Sequence, residues 1–186
     1  SIQLRFYESR FNLDTVICDI SASDTLLYAL ANLLYESGRY DVVIPENRFL
    51  RKDTLNPFSD QMNWEEVADL CKTFNTDAVL SLDYYKTGVS AVFGKIPNRD
   101  WNISNDFVYI ADMRINYAAN FRLYYPEKKE FLVSYFFTDT LQWQADHPDI
   151  SELFKSFTKV KDALAETSIS AAMNLNNRIA PVWKSF

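Results

Sequence analysis

The feature that most constrains this chain is a pair of helices, each handing over to a strand within a few residues, both lying between positions 21 and 85. Ser21 and Ser23 carry hydroxyls that can accept the unpaired N–H groups of a first helical turn, and Asp24 sets a negative charge against the positive end of the dipole. Leu26, Leu27, Leu30, Leu33 and Leu34 follow at helical spacing, so one face is almost pure leucine and must be covered. Gly38 predicts the stop, because glycine enters the left-handed conformation without a Cβ penalty. Residues 40–44 then read as a short β-branched strand closed by Pro45.

The pattern repeats. Asn63 and Glu66 stand at capping-box spacing, and Trp64, Val67, Ala68, Leu70, Cys71 and Phe74 form the next apolar stripe, up to Asn75 as a left-handed cap. Residues 78–85 read as the next strand. Strands connected in this way within one sheet are expected to be parallel, through a right-handed crossover.

Further along, the period changes to two. Met113, Ile115, Tyr117, Ala119, Phe121, Leu123 and Tyr125 fall on one face, against Arg114, Asn116, Ala118, Asn120, Arg122 and Tyr124. Residues 126–130 turn the chain, and Phe131, Val133, Tyr135, Phe137, Leu141 and Trp143 form the apolar set of a return strand. This predicts a long antiparallel hairpin with one face to the core and one face wet. Asp149 and Glu152 then open a closing helix whose stripe runs from Leu153 to Ile179, with a bend or break expected around Thr167 and Ser168.

At the other end, residues 2–8 alternate like a half-buried strand, residues 16–20 form a short apolar, strand-like run, and residues 45–62 read as a surface loop. The fold class is therefore α/β, or α+β: a mixed sheet with an αβαβ unit, a long antiparallel hairpin and a C-terminal helix, the helices mainly on one face, in a single domain spanning 1–186. Residues 86–106, with Gly88, Gly94, Pro97, Asn98, Asn102 and Asn105, read as an irregular insert, within which residues 89–93 read as a strand extension or an edge piece. Such long loops on a rigid layer are where binding groups tend to sit.

Charge and composition remove several function classes. A net charge of −6, with Arg51–Lys52 and Lys128–Lys129 as the short basic pairs, argues against nucleic acid. No apolar run is long enough to span a bilayer. Cys71 lies on a buried stripe and reads as a small core hydrophobe, while Cys18 sits in the apolar run; spacing alone leaves a bridge between them open. No cofactor or metal motif is present.

Candidate chemistry is sparse. His147, before Pro148, reads as a turn residue, with Asp146 and Asp149 nearby as the alternative of a surface cation site. Glu65 and Glu66 fall in a first helical turn, where the dipole accounts for them. Asp77, Asp83 and Asp112 lie at strand starts, edges or polar faces, and the sequence does not say whether any two face each other across a cleft. Tyr84, Tyr85, Tyr109 and Trp143 read mostly as core. Trp101, Asn102 and Tyr124, in the insert and on the polar face, are the residues proposed to bind a partner.

Two short phrases carry a likeness. Arg39, Tyr40, Asp41, Val42 and Val43 after the first helix, and Asp77, Ala78, Val79, Leu80 and Ser81 after the second, resemble the periplasmic α/β domain at the amino terminus of TolB and in LpoB- and CsgG-like outer-membrane lipoproteins. A closer likeness is to a family of bacterial lipoproteins in which such a domain precedes helical, tetratricopeptide-like repeats, with residues 178–184 as the junction. Ser81 and Leu82 replace the glycine usual after the second strand, a departure from TolB itself. The resemblance implies a non-enzymatic interaction domain on the periplasmic side of the outer membrane. Its partner would be an envelope protein, and its lipid anchor and leader would lie upstream of this sequence, which begins at Ser1 rather than Met. The alternatives are a glycan or small-ligand module using exposed aromatics, and a carboxylate-dependent hydrolase.

Overall fold

The period-two stretch and the segment before it form one three-stranded antiparallel sheet, order β1-β2-β3, from β1 (Val79–Pro97), β2 (Phe107–Tyr125) and β3 (Glu130–His147). The computed structural model describes residues 15–45, 60–97 and 107–180, with side chains from Ile20 onward. The strand expected over residues 2–8, most of the 45–62 loop, Trp101, Asn102, Pro181 and the Cys18 side chain lie outside the described residues.

The hairpin forms as its alternation predicts. Ala111, Met113, Ile115, Tyr117, Ala119 and Phe121 are buried on one face of β2. Ala119 lies opposite Phe137, and Ile115 opposite Leu141. Phe131 departs from the predicted set. A register shift at Leu123/Tyr124 pairs it with Tyr124 and carries it to the opposite face.

β1 is much longer than the predicted 78–85 strand. Residues 86–97, expected as irregular apart from a strand extension or edge piece over 89–93, continue the ladder in unbroken register from Lys86↔Ala118 to Pro97↔Phe107. Val89, Ala91 and Phe93 keep the alternation that extends the core face, and Ala91 and Phe93 pack there.

Four helices complete the described structure: α1 (Thr15–Glu36), α2 (Trp64–Phe74), α3 (Ile150–Ser156) and α4 (Val160–Ile179). α1 begins upstream of the predicted cap, so Ser21 and Ser23 lie inside it and residues 16–20 are helical rather than strand-like. A short apolar run has no decisive period of its own, and adding turns to a formed helix costs far less than starting one. Gly38 does take φ +67, and its N–H donates to the Tyr35 carbonyl at 3.0 Å. Asn63 caps α2 and Asn75 is left-handed at φ 52, both as read, but Asn63 Oδ1 accepts from the Glu65 N–H rather than from that of Glu66, the partner a capping box would use.

Residues 40–44 do not form a strand, which corrects the expected parallel crossover: all pairings among the described strands are antiparallel. This segment is tied down by side chains instead, with Val42 against the core and Tyr40 Oη donating to the Ile179 carbonyl at 3.0 Å.

Leu26, Leu30 and Leu34 of α1 meet Tyr117, Phe121 and Phe137 of the sheet and Ala171, Ala172 and Leu175 of α4. Each fully buried leucine contributes roughly 2 kcal/mol. A second cluster joins Met113 and Ile115 to Leu153, Phe157, Val160 and Leu164. The closing helix breaks at Phe157, which is extended, and not at Thr167–Ser168. There the buried hydroxyls donate to carbonyls four residues back, Thr167 to Ala163 at 2.8 Å and Ser168 to Leu164 at 3.0 Å, and the helix continues. Among the described residues no helix is long and apolar enough to cross a membrane.

Candidate interaction face

α1, α3 and α4 pack on the face of the sheet just described, so the even-numbered positions of β2 and their neighbours form the opposite face. Of the described helices, α2 is the one that reaches that face, at the hairpin-turn end. Trp64 packs edge-on against Tyr124 at 5.6 Å and lies tilted over Phe131 at 5.4 Å. The expectation that the closing helix shares a face with both earlier helices therefore holds for α1 and not for α2.

Tyr124 is on the polar strand face, as its parity requires, but it is fully buried and accepts the Met62 N–H on Oη at 3.0 Å. That corrects its assignment as an exposed anchor: α2 closes the ring off from any partner. Beside it, Asp83 Oδ2 and Arg122 Nη1 form an ion pair at 3.0 Å, with side-chain exposures of 0% and 14%. Ser81 Oγ donates to Asp83 Oδ1 at 2.6 Å, and the Arg122 guanidinium lies 5.9 Å from the centre of the Phe131 ring. Asp83 shares this face with Ser81 by ordinary alternation, and the bulge between Leu82 and Tyr84 then shifts the parity, so that Tyr84 and the even positions beyond it occupy the same face.

Beyond that covered end, no element among the described residues lies over the face. Gly88, Ser90, Val92 and Gly94 of β1, Arg114 and Asn116 of β2, and Thr138, Thr140, Gln142 and Gln144 of β3 are all exposed, with half-exposed Asp112 among them. Asp112 is its hub. Its Oδ2 accepts Gln142 Nε2 at 2.8 Å and Gln144 Nε2 at 3.0 Å, with Arg114 Nη2 at 3.5 Å. The Gln144 amide above all holds the carboxyl below its ordinary range; desolvation opposes it, second in size, and Gln142 and the Arg114 charge add to the lowering. Thr140 donates to Asn116 Oδ1 at 2.7 Å, so the polar side chains form a fixed cross-strand lattice rather than separate mobile groups. A shallow hollow of about 190 Å³ lies over Ser90, Val92, Asp112 and Arg114.

A second, open hollow of about 460 Å³ follows α1, lined by Tyr35, Glu36, Gly38, Arg39, Tyr40 and Asp41. Tyr35 and Tyr40 are both exposed there.

The remaining sequence candidates are structural. His147 Nδ1 accepts the Asp149 N–H at 2.9 Å, and the Asp149 carboxylate accepts the Ser151 and Glu152 N–H groups at 2.7 and 3.1 Å, capping α3. Among the described residues no group of three His, Cys, Asp or Glu side chains is placed to hold a metal ion. Trp143, half-buried on the core side, donates Nε1–H to Glu166 at 3.0 Å, and Cys71 is a buried free thiol. The Asp112 lattice escaped the sequence reading because its three strands meet only in the folded register. The alternation of residues 87–93 was the one signal pointing to it.

Among its described residues this α+β chain covers one side of a long antiparallel sheet with helices and leaves most of the other side uncovered, with the half-exposed Asp112 carboxylate held there by amides. The chain belongs to DUF8603, a domain of unknown function, whose family model matches residues 1–186. No curated protein matches it.

Proposed function

We propose that this chain is a non-enzymatic protein-interaction domain of a bacterial cell-envelope lipoprotein, facing the periplasm from the outer membrane and docking an envelope protein on its bare sheet face. The observation that carries the docking part is the Asp112 lattice. A solvated sheet face needs no fixed side-chain geometry, whereas amides and a carboxylate held in register offer a partner groups that are already ordered. Val92, 66% exposed on the neighbouring edge strand directly opposite Asp112, supplies an apolar contact. The envelope part is supported by the likeness of residues 77–81, which lead into β1, to lipoprotein domains, while residues 39–43, the other phrase of that likeness, do not form the strand it implies.

The test is site-specific photo-crosslinking in the full-length protein within its own envelope. A crosslinker at Val92 or Gln142 is expected to form discrete protein adducts, and one at Lys155 on α3 none. Adducts at all three positions, or at none, overturn the docking reading. Failure to label with radioactive fatty acid and to sediment with membranes overturns the lipoprotein reading.

A second reading, glycan binding, has one specific support. Exposed Tyr35 and Tyr40 flank Arg39, Glu36 and Asp41 in the larger hollow, a pairing of ring faces with planar hydrogen-bonding groups suited to a sugar. A glycan array that gives the same signals for the native protein and Tyr35→Ala removes it.

A further inference from the structure

Resting on the reading of the bare face as protein-binding, we propose that its partner is a second copy of this chain, packed back to back about a two-fold axis that crosses the strands at Ala91, Met113 and Trp143. These three residues lie side by side in the register, and all three point to the core. The bare-face residues one step on either side of that row are Ser90 and Val92 in β1, Arg114 and Asp112 in β2, and Gln142 and Gln144 in β3. A two-fold axis along the row sets each strand antiparallel to its own copy and brings every residue opposite its counterpart across the row. Asp112 then faces Arg114 of the second copy, twice, and Gln142 faces Gln144, whose amides are mutually complementary donors and acceptors. Such a surface is self-complementary in charge without being apolar.

The glycines supply an independent argument. Two of the chain's three, Gly88 and Gly94, fall on this face at equal distance from Ala91. Neither has positive φ, so the backbone does not call for glycine. A Cβ at Gly88 would meet nothing within 4 Å, and one at Gly94 would make only an ordinary 3.6 Å contact with Ile110, so packing within the subunit does not call for it either. Glycine weakens a strand interior, and one of its uses there is the close approach of another backbone. Under the proposed axis Gly88 and Gly94 face each other, flanking the charged centre where two sheets can come nearest.

Three strands over residues 86–96 offer on the order of 500 Å² of plan area per copy. That is at the small end for specific interfaces. A weak, reversible dimer is therefore expected, with aligned sheets as in a sandwich.

The experiment is sedimentation equilibrium of the full-length protein, native and variant, with thermal unfolding of each. Asp112→Arg or Arg114→Asp places like charges opposite each other and is expected to weaken self-association about tenfold or more. The double reversal D112R/R114D restores the cross-axis pairing and is expected to recover it. Gly88→Val is expected to raise the melting temperature, since valine favours a strand and has room, while weakening the dimer. A monomer at all concentrations overturns the proposal, as does a dimer indifferent to the charge reversals or unrescued by the double variant. If Val92 and Gln142 crosslink only to a different protein, this inference falls and the docking reading stands; if they crosslink to nothing, both fall.

Discussion

One sheet face carries two carboxylate–guanidinium pairs that differ chiefly in what lies over them. Asp83–Arg122, under the α2 end, closes to 3.0 Å with Asp83 fully shielded, whereas Asp112–Arg114 spans 3.5 Å with side chains 25% and 55% exposed. Cover decides the role. A shielded pair cannot be broken cheaply, because a charge left alone out of water is costly, while an exposed pair is nearly neutral for stability and its groups remain available to something outside.

Removing half of the shielded pair is the harshest test of that contrast. Arg122→Ala is expected to lower unfolding stability by about 3 kcal/mol, read from denaturant titration, since it takes the paired guanidinium away from a carboxylate shielded from water. The double variant D83L/R122M should recover much of the loss, because an apolar pair of similar volume carries no uncompensated charge. A loss for Arg122→Ala no larger than for Arg114→Ala would erase the distinction between the two pairs.

Lifting the cover comes next. Trp64 joins α2 to Tyr124 and Phe131, and Trp64→Ala is expected to cost about 2 kcal/mol, less than a fully buried aromatic because the ring is half-buried. The sharper readout is salt. With α2 loosened, the Asp83–Arg122 pair should be screened, so the stability of this variant falls between low and high salt more than that of the native protein. Arg114→Ala, by contrast, should change stability by no more than about 0.5 kcal/mol at neutral pH.

The contrast also marks what could be read from the residues in order. Alternation from Met113 to Leu123 located the hairpin and its core face, and Asn63, Asn75 and Asp149 marked helix ends, because each of those signals is local. Strand parity placed Tyr124 on the polar face correctly. Its burial depends on α2 folding back from some sixty positions earlier, which no period within β2 records. Residues 40–44 had strand composition but join no ladder; β propensity describes side chains that suit a pleated surface and does not supply a neighbouring edge. Residues 86–97 erred the other way. Gly88, Gly94 and Pro97 read as breakers and confined the expected strand extension to residues 89–93, yet Val89, Ala91 and Phe93 belong to an alternation that runs on past both glycines, and the ladder persisted to Pro97. The candidate face was therefore hidden in a stretch whose punctuation outweighed its period.

The smallest expected effect concerns acid. The Asp112 carboxyl is held below its ordinary range first by the Gln144 amide, and that of Asp149 first by the Glu152 N–H at the start of α3. A carboxyl whose folded value is depressed binds fewer protons when folded than when unfolded. Its contribution is therefore present above the unfolded value, about 4, and is lost as pH falls through the folded one. Stability measured from pH 5 downward should decline less steeply in Asp112→Asn than in the native protein, with Asp149→Asn showing a similar flattening while keeping a side chain able to cap α3. If Asp112→Asn leaves the acid limb unchanged while Asp149→Asn flattens it, the lattice on the bare face is not held in solution, and the preorganisation that distinguishes this face from ordinary wet sheet is lost with it.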